Sequence, residues 1–600
     1  MRRTTSRPRG VARLLALTCA LALAACSGGG GGGAGGGGQG GGGGDAGEPV
    51  SGGEITVLLE AGFAGGWSTG LDPATSNTVG ANMAQNSAIF GGLFTLEPDG
   101  EGGGEIVPNQ AESYEWSDDG LTLTVTLREG IEFTDGTPLD ANAVVWNWIR
   151  QINSGSTGAP TGLALDLEME PPELDQAWVD DLFAALPEDV DRDAIMAQLG
   201  AIRAVDERTV EMHLAVPNGA LVNGMPASNL NLMASPSAYA EMGGEAFRET
   251  PVGAGPFVIR DNRPSDRLQL ERNENYFKDG LPYLDALTFQ SVTGDQNVWN
   301  TLLAGQGDVI EGLSNTTLLQ EAENNDQVEV HYGSPSSPYV IQLNTRRPPF
   351  DDIRAREAAY YATNWGAINE GLLGGRGEPS QSFTASGDLI HIPEVEGYRE
   401  YDLEEARRIV DELGGIEVTF KTTDTGIARQ VATALQTQWQ EAGMEVSLDA
   451  KPLNDVITDF TAGEWEAILQ TAGAWDPAVG IGVGVRFGST SPFSGTPLPE
   501  GASTAQEALD QGLSTELDDI LERAAGTVDL AEREAAYEEA ARLISDEAYG
   551  PFGPAFSPAQ VIRTGIHGPG LDDPIPSLVV NEGVLYDRVW MEEGTSSGGY

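Results

Sequence analysis

Apolar positions along the chain fall into two periods. Ile55, Val57, Leu58 and Leu59 within Glu54-Ile55-Thr56-Val57-Leu58-Leu59 predict a first buried strand. Leu121 to Leu127 alternates strictly between apolar residues and threonine, which predicts a half-buried strand. Arg128-Glu129-Gly130 turns it, and Ile131-Glu132-Phe133 is expected to continue the sheet. The four-residue spacing of Ile427, Val431, Leu435 and Trp439 predicts a helix over 426–442. Strands at Ile416–Lys421 and Met444–Leu448 flank it. A strand, helix and strand in that order imply a parallel pair with a right-handed crossover. Further helices are expected at Asn82–Phe94, ending at a Gly-Gly break, and at Asp140–Arg150, with Val144, Val145, Trp148 and Ile149 inward. Another is expected at 530–548, with Tyr537, Ala540, Ala541, Ile544 and Ala548 as its stripe. Residues 165–200 read as an acidic, helix-prone stretch. The class is α/β with antiparallel hairpins.

The N-terminus follows neither period. Five arginines and no acid precede Leu14–Ala25, an apolar run too short to cross a bilayer and suited to an export signal. Leu23-Ala24-Ala25-Cys26 resembles the lipobox of bacterial lipoproteins, which implies lipidation of Cys26. The following glycine-rich segment reads as a tether with a reach of about 25–30 Å. Cys19 lies inside the signal, so the mature chain has one thiol and no internal disulfide. The 600 residues carry a net charge of −58; without the five signal arginines the balance is 28 bases against 91 acids, or −63. Such a surface repels phosphate backbones and excludes a nucleic-acid partner. Only Lys278, Lys421 and Lys451 are lysine, a scarcity that fits a GC-rich genome.

Five segments carry a resemblance. They are Trp116–Thr122 leading into Leu127–Leu139; Pro251-Val252-Gly253-Ala254-Gly255-Pro256-Phe257; Glu271–Phe277 with Pro282–Asp285; Leu303–Ile310; and Gln342–Thr345 with Pro349–Ala358. In this order, from about residue 54 to about 585, the chain resembles family 5 of the extracellular solute-binding proteins of ABC importers, which includes dipeptide, oligopeptide and nickel binders. The resemblance implies a two-lobed type II periplasmic-binding-protein fold with a hinged cleft and a small inserted domain. On that basis the signal occupies 1–25 and the lipidated cysteine with its tether 26–53. Lobe I takes 54–95, 226–320 and 546–600, the inserted domain 96–225, and lobe II 321–545.

The implied function is non-enzymatic. A monomeric receptor, anchored to the outer face of the cytoplasmic membrane of a high-GC Gram-positive cell, captures a peptide or related small solute. It delivers that solute to a permease with ATPase subunits, and no cofactor is expected. Candidate solute contacts are Trp475 and Asp476, Tyr339 before Asn344-Thr345, and Trp67 and Ser68 after the first strand. Two departures stand out. Ala143 occupies a position where similar sequences carry an acid. Gly473 falls where peptide binders of the family place an ammonium-binding aspartate, so either a shift lets Asp476 serve or no free N-terminus is clamped.

Rival readings are a sensor lipoprotein for a non-peptide solute and a serine hydrolase built on Ser68. Gly66-Trp67-Ser68-Thr69-Gly70 fits G-x-S-x-G, but that elbow requires a strand before it and a helix after it. Here loop residues precede it and Leu71-Asp72-Pro73 follows. His213, His331, His391 and His567 have no metal-ligand spacing. Thr134-Asp135-Gly136-Thr137-Pro138 is expected to be a tight turn, and Gly253-Ala254-Gly255 a close approach of two chain segments.

Overall fold

The computed structural model describes residues 48–595, apart from 62–66, 68–69, 76–82, 99–103, 155–162, 473–479, 573–583, 593–594 and the single positions 189, 314, 334, 336, 425, 556 and 558. Three main sheets organise it. The first has seven strands, in the order Val328–Tyr332, Ala559–Arg563, Val309–Glu311, Glu54–Glu60, Ala286–Val292, Arg267–Arg272 and Phe257–Arg263. Glu54–Glu60 lies at its centre and pairs in parallel with both neighbours. Alternate residues of that strand feed opposite faces. Val57 and Leu59 join one apolar core with Phe257, Leu287 and Phe289, while Leu58 joins another with Trp299 and Val561. Burial on both faces is why this strand reads as a continuous apolar run.

The inserted sheet is antiparallel, in the order Ala111–Trp116, Thr122–Leu127, Thr209–His213 and Ile202–Ala204. Leu123, Val125 and Leu127 point into its core, as the alternation predicts. The helix Ala141–Asn153 covers that core. Asp140 is its N-cap and accepts a bond from the backbone N–H of Ala143 at 2.8 Å. Ala143 itself is buried. The helix carries Arg150 into a buried ion pair with Asp72, with Nη2 2.5 Å from Oδ2. Burial pulls the Arg150 pKa down, but the charge and hydrogen bonds of Asp72 outweigh it and leave a net rise. This pair ties the inserted sheet to the segment after the first strand.

The third sheet runs Tyr339–Leu343, Ala467–Thr471, Glu417–Thr423 and Glu445–Lys451. Its last two strands are the expected parallel pair. The helix Gly426–Glu441 joins them and buries Ile427, Val431, Leu435 and Trp439. Leu530–Asp546 likewise buries Tyr537, Ala540, Ala541 and Ile544.

Three local expectations are corrected. Ile131–Phe133 does not extend the inserted sheet. The chain turns back instead, with Gly136 at φ 84° and Asp135 Oδ1 accepting from both the backbone N–H and the hydroxyl of Thr137. Only a single bridge, Glu132 to Pro138, remains. The first helix, Met83–Phe90, ends at Phe90 and not at Phe94, while Asn82 lies outside the described residues. Gly91 takes φ 68°, and Phe94 begins a strand. The third concerns the end of the first sheet. Val328–Tyr332 belongs to that sheet, so the sheet extends past residue 320. Residues up to Phe552 pack on the third sheet through the bridge between Val340 and Phe552.

The close approach at Gly253–Gly255 is present. A Cβ at Gly255 would sit 2.6 Å from the backbone of Ile89 and Gly91. The two segments are also joined by a bond from the Gly255 N–H to the Ile89 carbonyl.

Candidate functional site

The first and third sheets are joined by two chain crossings. One runs from Tyr332, the end of a first-sheet strand, to Tyr339, the start of a third-sheet strand. The other runs from Phe552 to Ala559 in the opposite sense. They lie side by side: the Tyr339 N–H donates to the Pro554 carbonyl at 3.2 Å, and the Gly553 N–H to the Tyr339 carbonyl at 2.8 Å. Two adjacent crossings between two sheeted lobes form a hinge, because a few backbone torsions there rotate one lobe against the other.

Aromatic residues gather at this hinge. Tyr339 is buried and stacks on Trp365, with centroids 5.7 Å apart and planes within 5°. Trp365 lies flat against Gly553, where a Cβ would stand 2.5 Å from the indole. Its Nε1 is shielded from solvent and has no hydrogen-bond partner. On the first-lobe side, Tyr332 donates to Glu323 Oε1 at 2.6 Å. Arg376 of the second lobe crosses to this pair. Its Nη2 lies 3.0 and 3.1 Å from the two Glu323 oxygens, and its guanidinium carbon is 5.2 Å from the Tyr332 ring centroid. Burial, and then the hydrogen bond to Glu323, push the Tyr332 phenol well above its ordinary range.

Of the two expected contacts among the described residues, Tyr339 is the one whose surroundings include the hinge. Trp67 is fully buried in the first-lobe core, with its Nε1 donating to Asn262 Oδ1 at 2.8 Å. Ser68, Gly473, Trp475, Asp476 and Cys26 lie outside the described residues. Trp365, Arg376, Tyr332 and Glu323 were missed by sequence reasoning. No local motif marks them, and they meet only because the two crossings bring the lobes together.

Two buried amides on the first helix form a separate feature. Gln85 and Asn86 are fully buried, and all four of their side-chain nitrogen and oxygen atoms lack a hydrogen-bond partner. Buried unpartnered amides each cost about 1–3 kcal/mol. They therefore call for a polar guest such as ordered water.

A pocket of about 70 Å³ lies between the end of the first helix, the strand Phe94–Pro98, Tyr276–Lys278 and Val584–Arg588. Lys278 pairs there with Asp587 at 2.9 Å, and Arg588 with Glu97 at 2.6 Å. No lining residue comes from the second lobe, and the volume is below the roughly 300 Å³ of small-molecule sites. It is not the cleft. Among the described residues no cluster of histidine, cysteine and acids could hold a metal, and no helix is long and apolar enough to cross a membrane.

Residues 105–490 match the family model described as bacterial extracellular solute-binding proteins, family 5 Middle. The chain is 26% identical over 509 residues to the glutathione-binding protein GsiB of Shigella flexneri serotype 5b, covering 82% of this chain and 87% of that protein. The corresponding protein of Escherichia coli K12 is 26% identical over 507 residues, with the same coverage. Among solved structures, a dipeptide-binding protein of Pseudoalteromonas sp. SM9913 in complex with Met-Leu superposes with a TM-score of 0.67 at 17% identity, over 90% of this chain and 100% of that one. A putative peptide-binding protein AppA from Clostridium difficile gives 0.69 at 15% identity, over 90% and 100%. The architecture is therefore the two-lobed type II periplasmic-binding-protein fold. The family match spans well over half of the 600 residues, and the chain belongs to family 5 of the bacterial extracellular solute-binding proteins.

Proposed function

We propose that this chain is the lipid-anchored receptor of an ABC importer, and that it captures short peptides or related amide-bearing solutes between its lobes for delivery to a permease. The observation that carries the reading is the hinge. Two hydrogen-bonded crossings join two lobes in a chain of this family, with the stacked pair Tyr339–Trp365 beside them. A solute that touches both lobes only when they are together shifts the hinge equilibrium by its differential affinity, and no catalytic group is needed. Similar proteins are described as binding glutathione and the dipeptide Met-Leu, which supports a peptide-like solute. Cys26 supplies the anchor in this reading, and the acylated chain sits on the outer face of the cytoplasmic membrane.

Native mass spectrometry of the purified chain, followed by denaturation and identification of released masses, tests the solute. Masses assembled from amino-acid residues support the reading. A single non-peptide mass overturns the peptide assignment. Cys26→Ser tests the anchor: the variant should leave the membrane fraction, and retention there would refute anchoring through this thiol.

A further inference from the structure

The lobes meet at a third place, between the inserted domain and the second lobe. The inserted domain ends its strand at His213 and continues through Pro217-Asn218-Gly219. This loop lies against the turn Ala525–Val528 between two helices of the second lobe, Glu516–Gly526 and Leu530–Asp546. The Gly219 N–H donates to the Ala525 carbonyl at 2.9 Å. The Gly219 carbonyl accepts from Arg533 Nη2 at 2.5 Å, and the same nitrogen lies 3.4 Å from the Thr527 carbonyl. Arg533 is 1% exposed. The fit is tight. A Cβ on Gly219 would overlap the Thr527 carbonyl, and one on Gly120 would lie 3.4 Å from Pro217 and 3.7 Å from Val528.

We propose that this contact is a clasp. The inserted domain holds the second lobe shut through Gly219 and Arg533, and the clasp must release each time the cleft opens. The inserted domain is attached to the first lobe by its two chain connections and by the buried Asp72–Arg150 pair. The chain passes between the first and second lobes at the two crossings, and the Arg376–Glu323 pair lies beside them. Rotation about adjacent crossings preserves contacts on the axis and separates those away from it. The Gly219 contact is made by a domain that contributes no residue to either crossing. Opening therefore trades two backbone-carbonyl hydrogen bonds for water, and closing restores them. The clasp thereby adds to lobe closure whatever the solute is.

Gly219 suits the test because its φ is not in the left-handed region. Alanine is therefore tolerated by its own backbone, and the cost of the methyl falls on the clasp. Donor and acceptor dyes are placed at Asp193→Cys in the inserted domain and Glu522→Cys in the second lobe, both exposed. The host is the full chain carrying Cys19→Ser and Cys26→Ser, so that no other thiol competes. Single-molecule energy transfer is recorded without added solute. The wild-type clasp should give a major high-transfer population. Gly219→Ala should move at least half of that population to lower transfer, and Arg533→Met, which keeps the buried apolar stem, should do the same. Unchanged distributions in both variants, with unchanged circular dichroism, would overturn the clasp. Since no solute is used, failure here leaves the peptide reading untouched, and failure of the peptide reading leaves the clasp untouched.

Discussion

Glu311 is the group whose ionisation should be most visible in the stability of the first lobe. It ends the strand Val309–Glu311, is 1% exposed, and has a single described partner, the Tyr586 hydroxyl, which donates to its Oε1. Its Oε2 is buried without a partner. Burial pushes the carboxyl up from 4.5 to about 8, and the Tyr586 hydrogen bond offsets only part of that. The folded chain therefore keeps a proton at pH 7 that the unfolded chain has released. Stability contributed by this group is full below pH 4.5, falls as pH rises from 4.5 to about 8, and is level above that. At about 1.4 kcal/mol per pH unit, the cost at pH 7 is of order 3 kcal/mol.

Glu311→Gln keeps the shape, keeps an acceptor for Tyr586 and cannot ionise. The quantity to measure is the difference in unfolding free energy between variant and wild type at pH 5, 6, 7 and 8, from denaturant titrations followed in the first lobe. Taking that difference cancels every other titrating group. It should grow by about 1.2 kcal/mol per unit from pH 5 to 8, a little under the full slope because the group titrates gradually at both ends, and level off above pH 8. Tyr586→Phe removes the one hydrogen bond that lowers the carboxyl's pKa, so the rise should continue beyond pH 8 in that background. A difference that stays constant from pH 5 to 8 would mean that Glu311 is already charged in the folded chain, and the buried neutral carboxyl would be excluded.

Other expectations follow from the same kind of argument. Asp72→Asn strands the buried Arg150 guanidinium, whose remaining neighbours include the Tyr239 ring at 4.2 Å. A loss of about 3–5 kcal/mol is expected by urea unfolding, and a loss under 1 kcal/mol would show that the ion pair is not desolvated. Gly255→Ala pushes a methyl to 2.6 Å from the backbone of Ile89 and Gly91. Neither is a side chain that can swing away, so lower thermal stability with faster amide exchange at 89–91 is expected; unchanged exchange would count against the close approach. Lys421, 6% exposed, lies 2.6 Å from both Asp449 and Asp459, and Lys451 lies 2.6 Å from Asp459. Both carboxyls are held below 3.8: Asp449 by these lysines against its burial, Asp459 chiefly by the Lys421 hydrogen bond. Their contribution is present above pH 3.8 and lost as pH falls through the depressed values. Lys421→Met should flatten the acid limb of second-lobe unfolding, and an unaltered limb would exclude the network as its cause.

The periodic parts of the fold were legible before any coordinates. Strand, helix and strand over 416–451 could be read because each buries one face, so burial wrote a period of two or four into neighbouring residues. The inserted strand Thr122–Leu127 is legible for the same reason. Ile131–Phe133 misled because two apolar residues around a glutamate look like a strand, while the Asp135-Gly136 turn closed the chain on itself between Glu132 and Pro138. The end of the first sheet was hidden because Val328–Tyr332 pairs with Ala559–Arg563, more than 200 residues away.

Candidate-site chemistry is less legible than the fold, and the cause is geometric. Tyr339 and Trp365 stack across 26 positions of sequence, and Glu323, Tyr332 and Arg376 converge across 53. No spacing rule links such residues, because no single helix or strand carries them. Trp67 shows the converse. It lies next to the first strand in a loop, where a solute contact is a reasonable expectation, yet its ring fills the first-lobe core and its nitrogen is taken by Asn262. Glu311 reads as an ordinary strand-end carboxylate until Tyr586, 275 residues later, closes over it. In a two-lobed receptor the residues that sense closure are those whose partners lie on the other lobe. Their signature is thus a pair of distant positions, and local sequence carries only half of each pair.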